Sequence, residues 1–471
     1  MKSRTHASRH LRRDLGTLES YATIIGILIG AGIFQVTSQA WALTGPSVIL
    51  GYIVLTPAIL ATAIPYAAFL STPLGREPGG EYLHISRTLG GYRLAYVGAW
   101  LKIISYIGAG AYLANAMAGY LLALSGNRID ARTFQLPIAL MALVVFYLIH
   151  VIGIWWFGRV QVIMSALKCL ALLVLIVPGL FVLKPANYTP FFTHGWSGFG
   201  TSLLPLFFAY AGFESIAQTA GEVKDSTRRL PRIIVKGITF TALIYVFTSI
   251  VSFGVLPGGR LQVSSAPMAE VASIYLPAGA AIFVTLGAVA AIMTALNGTL
   301  LVPSRLGIMF VEDGLAPRWL GFINKTTATP IRGLTLTLIG CAILLVSGQL
   351  SLALNVAVFA LVVLYFIHSL VFLFLPRLNP ELANEIRINL PLRARQVAAV
   401  VSVLAMGLMI LIQLRQDVGV LQQTTISQRI SEHSLTSIEL VVVWGVVGLG
   451  LYQLARMQRQ NPVAKVDAHA D

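Results

Sequence analysis

Apolar runs long enough to cross about 30 Å of hydrocarbon recur along the whole chain. In lipid an unpaired backbone N–H or C=O costs several kcal/mol, so a chain built this way must fold into membrane-spanning helices or a closed barrel. Twelve helical spans are expected, at about 21–43, 46–72, 94–124, 136–153, 160–183, 199–221, 233–256, 270–302, 333–347, 352–375, 396–414 and 437–455, the ninth being the shortest. With 56% hydrophobic and 11% charged residues, the chain has too little charge to coat a soluble surface of this size. No soluble domain fits between the runs. The expected organisation is an N-terminal tail at 1–20, five spans at 21–183, five more at 199–375, two at 396–455 and a C-terminal tail at 456–471.

The formal net charge of +15 invites a nucleic-acid reading, but its distribution fits membrane topology instead. An N-terminus on the inside places 25 of the 33 Lys and Arg in cytoplasmic segments and both termini in the cytoplasm. The long first run, followed by eleven others, predicts a first span rather than a cleaved leader. Cys169 and Cys341 lie in apolar runs without metal-ligand spacing, so no metal is expected. Paired acids, a Ser-His arrangement and a metal cluster are all missing from the spans, and an enzyme is not expected.

Two runs are interrupted by small residues. In the sixth, Leu203 to Pro231 carries Ala211 and Gly212 at mid-span with Glu214 just beyond. In the first, Ala31-Gly32-Ile33-Phe34 aligns with Ala211-Gly212-Phe213-Glu214 at an offset of 180 residues. Interrupted helices in corresponding halves of a membrane protein point to a binding site. The second half of a broken first span offers free N–H groups around Gly30, Ala31 and Gly32 to a carboxylate. Carbonyls ending its first half, near Leu28 and Ile29, suit an ammonium, and an α-amino acid carries both groups.

Other polar residues in the spans have competing readings. Lys102 lies about two turns from an edge, and its stem is expected to snorkel to the interface. Lys168 lies deeper, flanked by Ala166, Leu167, Cys169, Leu170 and Ala171, where it must find partners or lose its proton. Small residues along the third span, including Ala109 beside Tyr112, leave room for a substrate side chain. Asn297 and Asn355 are the amides expected to meet a bound polar group, or else to cap a neighbouring helix. His150 and His368 are expected to be structural. Gly75 to Tyr82, with Arg87 and Gly90, predicts a breaker-rich cytoplasmic loop beside a gate. The last two spans carry no chemistry and are expected to form a lipid-facing or homodimer-forming pair.

Four separated stretches resemble the amino acid-polyamine-organocation superfamily: Ile29 to Phe34; Gly79-Gly80-Glu81-Tyr82 with Gly90; Phe207 to Glu214 continuing through Glu222-Val223-Lys224 and Arg229-Leu230-Pro231; and Ser304-Arg305 with Asp313 to Pro317. The resemblance implies an all-α membrane protein with a five-plus-five inverted repeat, helices 1 and 6 broken, and two added C-terminal helices. It also implies that Gly30, Ala31 and Gly32 hold the substrate carboxylate and that carbonyls of Leu28, Phe208 and Ala211 hold its amine. Phe208 would gate the pocket, Glu214 would join a pH-linked network, and Lys168 would stand where sodium-dependent relatives bind the ion. The family's first loop usually reads Gly-Ser-Gly, and Ala31 removes that hydroxyl. Where the family usually has Arg-Asp-Gly, the chain has Glu312-Asp313-Gly314, which puts the local salt-bridge pattern in question.

The expected function is sodium-independent secondary transport of an amino acid across the cell membrane, by proton symport or exchange, with no cofactor. Acids are scarce in the spans apart from Glu214, which favours neutral substrates over cationic amino acids or polyamines. A membrane sensor that binds a nutrient without moving it is the alternative of another class.

Overall fold

Why the apolar runs become helices follows from lipid itself, since only a helix pairs every backbone group within its own segment. A computed structural model describes residues 11–125, 130–264, 266–431 and 435–460. In order, its helices are α1 (Thr17–Leu28), α2 (Thr37–Thr44), α3 (Val48–Leu70), α4 (Glu81–Leu89), α5 (Arg93–Leu124), α6 (Ala131–Ile152), α7 (Ile154–Gly179), α8 (Gly195–Tyr210) and α9 (Ser226–Val255). There follow α10 (Gly258–Val263), α11 (Pro267–Tyr275), α12 (Ala278–Glu312), α13 (Ile331–Val346), α14 (Leu350–Leu378), α15 (Pro380–Asn384), α16 (Leu392–Gln423), α17 (Ile426–Ser431) and α18 (Ser437–Gln460). Among the described residues, ten stretches are long and apolar enough to cross a membrane. The remaining two expected spans are the shorter helices α8 and α13, each 16 residues. The protein is an all-α, multi-pass membrane protein. Most of the two tails expected at 1–20 and 456–471 lies outside the described residues.

The first and sixth spans are both interrupted. After α1 the backbone leaves helical geometry at Ile29, with ψ at 79°, and a π-helical turn over Gly32–Val36 leads into α2. In the sixth span α8 stops at Tyr210, Ala211 is extended, and Gly212 takes φ 105°, a conformation that costs a side-chain-bearing residue but not glycine. The chain then continues as two short 3-10 turns, Phe213–Ala217 and Ala220–Glu222. The breaks pack on each other so closely that a Cβ on Gly32 would meet Ala209 Cα at 2.4 Å, and one on Gly212 would meet Ile27 Cγ2 at 2.3 Å. Small residues at these points therefore set the distance between two backbones.

Within the breaker-rich Gly75–Tyr82 stretch, Pro78 to Tyr82 are buried. Glu81 opens α4, a helix whose residues Glu81 to Ser86 are all buried. Burial is possible because its polar groups have partners: Tyr82 donates to Asp313 at 2.7 Å, His84 Nδ1 meets His368 Nε2 at 3.0 Å, and Thr88 donates to the His84 carbonyl. Arg87 pairs with Asp313 at 3.3 Å. The local salt bridge questioned at Glu312-Asp313-Gly314 is thus formed through Asp313. Nearby, Leu15 and Val223 form an isolated parallel bridge that ties the start of α1 to the end of the sixth span. The side of the protein bearing these elements is called the α4 face below.

Candidate functional site

The two interruptions face each other across a small cavity. Its wall includes Ile27, Leu28, Ala31 and Gly32 from the first break, Phe208, Ala211 and Gly212 from the second, and Tyr106 and Ala109 from α5. The remaining lining residues, from α5, α12 and α14, are likewise uncharged. At about 30 Å³ the cavity is small, and it widens only where a wall moves. Phe208 is such a wall, half of an edge-to-face pair with Tyr112 whose ring centroids are 5.6 Å apart.

Polar groups brace the opened backbone from behind. Tyr245, on α9, donates to the carbonyls of both Leu28 and Ala209, one from each interrupted span. Gly30 N–H turns back to Leu28 O at 2.9 Å, so the carbonyl ending α1 accepts two hydrogen bonds. The second segment of the first span resumes helical geometry at Ala31, and its first N–H groups have no preceding helical turn to bond.

Lys168 is fully buried on α7 and reaches into the notch behind the first break. Its ammonium donates to Ile25 O at 2.9 Å, Gly26 O at 3.0 Å, Ile29 O at 2.9 Å and Thr294 Oγ1 at 2.9 Å. Those four oxygens come from α1, the break and α12, so one side chain ties the interrupted backbone to a neighbouring helix. Main-chain oxygens at a helix C-terminus carry partial negative charge, which suits a cation at this point.

A second charged centre lies between the cavity and the α4 face. Lys102 is fully buried and does not snorkel, contrary to expectation. Glu81, brought inward by α4, offers it both carboxylate oxygens at 2.8 Å, and an interior partner outweighs a path to the interface. Tyr66 donates to Glu81 Oε1 at 2.8 Å and Gln218 to Oε2 at 3.0 Å. Glu214 stands 3.6 Å from the same Lys102 ammonium and accepts from Tyr106 at 2.6 Å, from Tyr365, and from the Gly212 N–H at 3.0 Å. Two buried carboxylates therefore share one lysine, and one of them accepts from the backbone at the sixth-span break.

Closer to the α4 face, Arg305 on α12 pairs with Glu222 at 3.0 Å, both buried. Burial pushes the Glu222 carboxyl above its ordinary range, while the Arg305 guanidinium draws it back down.

A family model described as amino acid permease matches residues 15–430. The chain belongs to the amino acid permease family. Its members are membrane transporters, and this chain is one rather than an enzyme. A branched-chain amino acid permease of Bacillus subtilis (strain 168) is 28% identical over 343 residues, covering 69% of this chain and 73% of the relative. A methylthioribose transporter of the same strain is 27% identical over 400 residues, covering 81% and 85%. A chloroplastic cationic amino acid transporter of Arabidopsis thaliana is 29% identical over 340 residues, covering 69% of this chain and 59% of the relative.

Within this permease the expected site residues separate into groups. Leu28, Ala31, Gly32, Ala109, Phe208 and Ala211 come together around the cavity. Gly30 packs against α12, where a Cβ on it would meet Ala295 Cβ at 2.5 Å. Tyr112 stands behind Phe208. Asn297 is buried on α12, its carbonyl receiving His150 Nε2 at 2.8 Å while its side-chain amide makes no hydrogen bond. Asn355 lies exposed on the outer surface of α14. Glu81, Gln218, Tyr106, Tyr245 and Thr294 were not anticipated; the signal for Glu81 was an intramembrane Lys102 needing an interior acid in a chain with few.

Proposed function

We propose that this permease moves neutral amino acids across the cell membrane by alternating access, independently of sodium, in symport with protons or by exchange, with both termini cytoplasmic. The observation that carries the reading is the meeting of two main-chain breaks across a cavity lined by uncharged side chains. The N–H groups of Gly30, Ala31 and Gly32 are the proposed seat of the carboxylate, with the Gly30 N–H leaving the Leu28 carbonyl when the ligand binds. The carbonyls of Leu28, Phe208 and Ala211 are the proposed seat of the ammonium, with the side chain directed toward Ala109, Tyr112 and Asn297. Phe208 swings to admit the ligand. The resemblance to a branched-chain permease supports an apolar side chain.

Lys168 is the proposed fixed substitute for a sodium ion, supported by its four oxygen contacts at 2.9–3.0 Å. Glu214 is the proposed coupling acid. With Glu81 it gives two carboxylates for one buried ammonium, an imbalance that a proton removes.

Uptake of labelled leucine into sodium-free proteoliposomes tests this. Accumulation driven by an inward proton gradient, or by trans-loaded amino acid, is expected. Strict dependence on sodium would overturn the coupling assignment, and stronger competition by arginine or putrescine than by valine would overturn the neutral substrate. Binding without counterflow would identify a sensor.

A further inference from the structure

The α9 helix is 30 residues long, or about 45 Å at the α-helical rise, against about 30 Å of hydrocarbon. Its uncharged part, Gly237 to Val255, is alone long enough to fill the membrane core. The preceding turns, bearing Arg228, Arg232 and Lys236, therefore stand at headgroup depth.

Those three residues recur every four positions and form one stripe. The stripe faces a cavity of about 530 Å³ on the α4 face, between the C-terminal end of α3, the start of α9 and the segment before α16. Arg387 completes a set of four cations around it. Among the described residues none of the four takes part in an ion pair. The acids nearest in sequence are Asp225, bound to Arg229 at 2.9 Å, and Glu385, which forms no ion pair with any of the four among the described residues. Four like charges around one cavity repel one another, so the site favours an anion.

The rest of the wall identifies the class of anion. Ile64, Ala67, Val235 and Leu390 give the cavity an apolar side, and Val235 and Leu390 are exposed. A soluble phosphate gains nothing from that surface, whereas a phospholipid presents a phosphate and acyl chains at these two depths. We propose that the cavity formed by Ile64, Arg228, Arg232, Lys236 and Arg387 binds the headgroup of an anionic phospholipid, with its acyl chains running along Ile64 and Val235. Bound there, the lipid joins α3 and α9 to the segment leading into α16.

The test is lipid binding to the purified full-length protein by native mass spectrometry, titrating phosphatidylglycerol against phosphatidylcholine. The paired variant Arg232→Gln/Lys236→Gln is compared with a control of equal charge change at exposed positions outside the cavity, Arg318→Gln/Lys325→Gln. Each basic residue near an anionic surface is worth about a fivefold change in binding. Phosphatidylglycerol should bind wild type and control alike and the cavity variant at least tenfold more weakly, with phosphatidylcholine weak throughout. A cavity variant within threefold of the control overturns the site, as does equal binding of the two lipids. Displacement of phosphatidylglycerol by glycerol phosphate at comparable concentration overturns the lipid assignment in favour of a soluble anion. Melting temperatures of the two variants establish that both are folded.

Discussion

Lys102 meets Glu81 through both carboxylate oxygens at 2.8 Å, with both side chains shut away from solvent. The pair joins the third span to a helix that enters the protein from the α4 face, and Glu214 waits 3.6 Å away on the broken sixth span. Removing one partner of a buried ion pair leaves an uncompensated charge, which costs about 3 to 5 kcal/mol. Lys102→Met should therefore lower the unfolding temperature sharply, and Lys102→Met/Glu81→Gln should recover roughly half of the loss. Thermal unfolding in detergent measures both. A single variant that melts with the wild type would show that the lysine is not holding these elements together.

Lys168→Ala removes the cation from four oxygens that converge on the first break. Net uptake in proteoliposomes should fall to background while the purified protein stays monodisperse. Wild-type rates across the pH range would reduce the lysine to a structural tie.

Glu214→Gln keeps a hydrogen-bonding group beside Gly212, Tyr106 and Tyr365 but gives up the charge. Folding should be retained, with uptake reduced about tenfold or more, in line with loss of a group that exchanges protons. Its pH dependence should flatten. A pH–rate profile that keeps its shape removes Glu214 from the coupling step.

Arg305→Met isolates the buried carboxyl of Glu222. Burial already raises this group above a free glutamate, and losing the guanidinium raises it further. A native-state value above the unfolded one means that the folded protein holds the extra proton. Stability is then greatest below the ordinary carboxylate range and falls as pH rises through the native value. The melting deficit of Arg305→Met relative to wild type should accordingly be larger at pH 8 than at pH 5. A deficit independent of pH would mean that Glu222 keeps its proton in both proteins.

The span pattern was legible because lipid leaves the backbone few options, and the small residues at Ala31-Gly32 and Ala211-Gly212 marked where two spans come apart. The ninth span emerged as the short helix α13 that its sparse apolar run suggested. What local sequence did not reveal were contacts set by tertiary folding. Glu81 sits among turn-forming residues that resemble a surface loop, and nothing nearby indicates that Lys102, 21 positions on, draws it inside. Tyr245 lies in an otherwise ordinary apolar stretch and gains its significance only from the two carbonyls it reaches. Asn355 illustrates the opposite limit, since an amide in an apolar run faces either inward or outward depending on helix rotation, and here it faces outward.

The Tyr245 hydroxyl touches the loose ends of both interrupted spans, yet it has a single proton to give. The two ends compete for it, and under the proposed binding mode a ligand that claims one carbonyl would surrender the proton to the other. Any movement at one gap would thereby reach its counterpart through one side chain, and a phenylalanine at this position would leave them to drift independently.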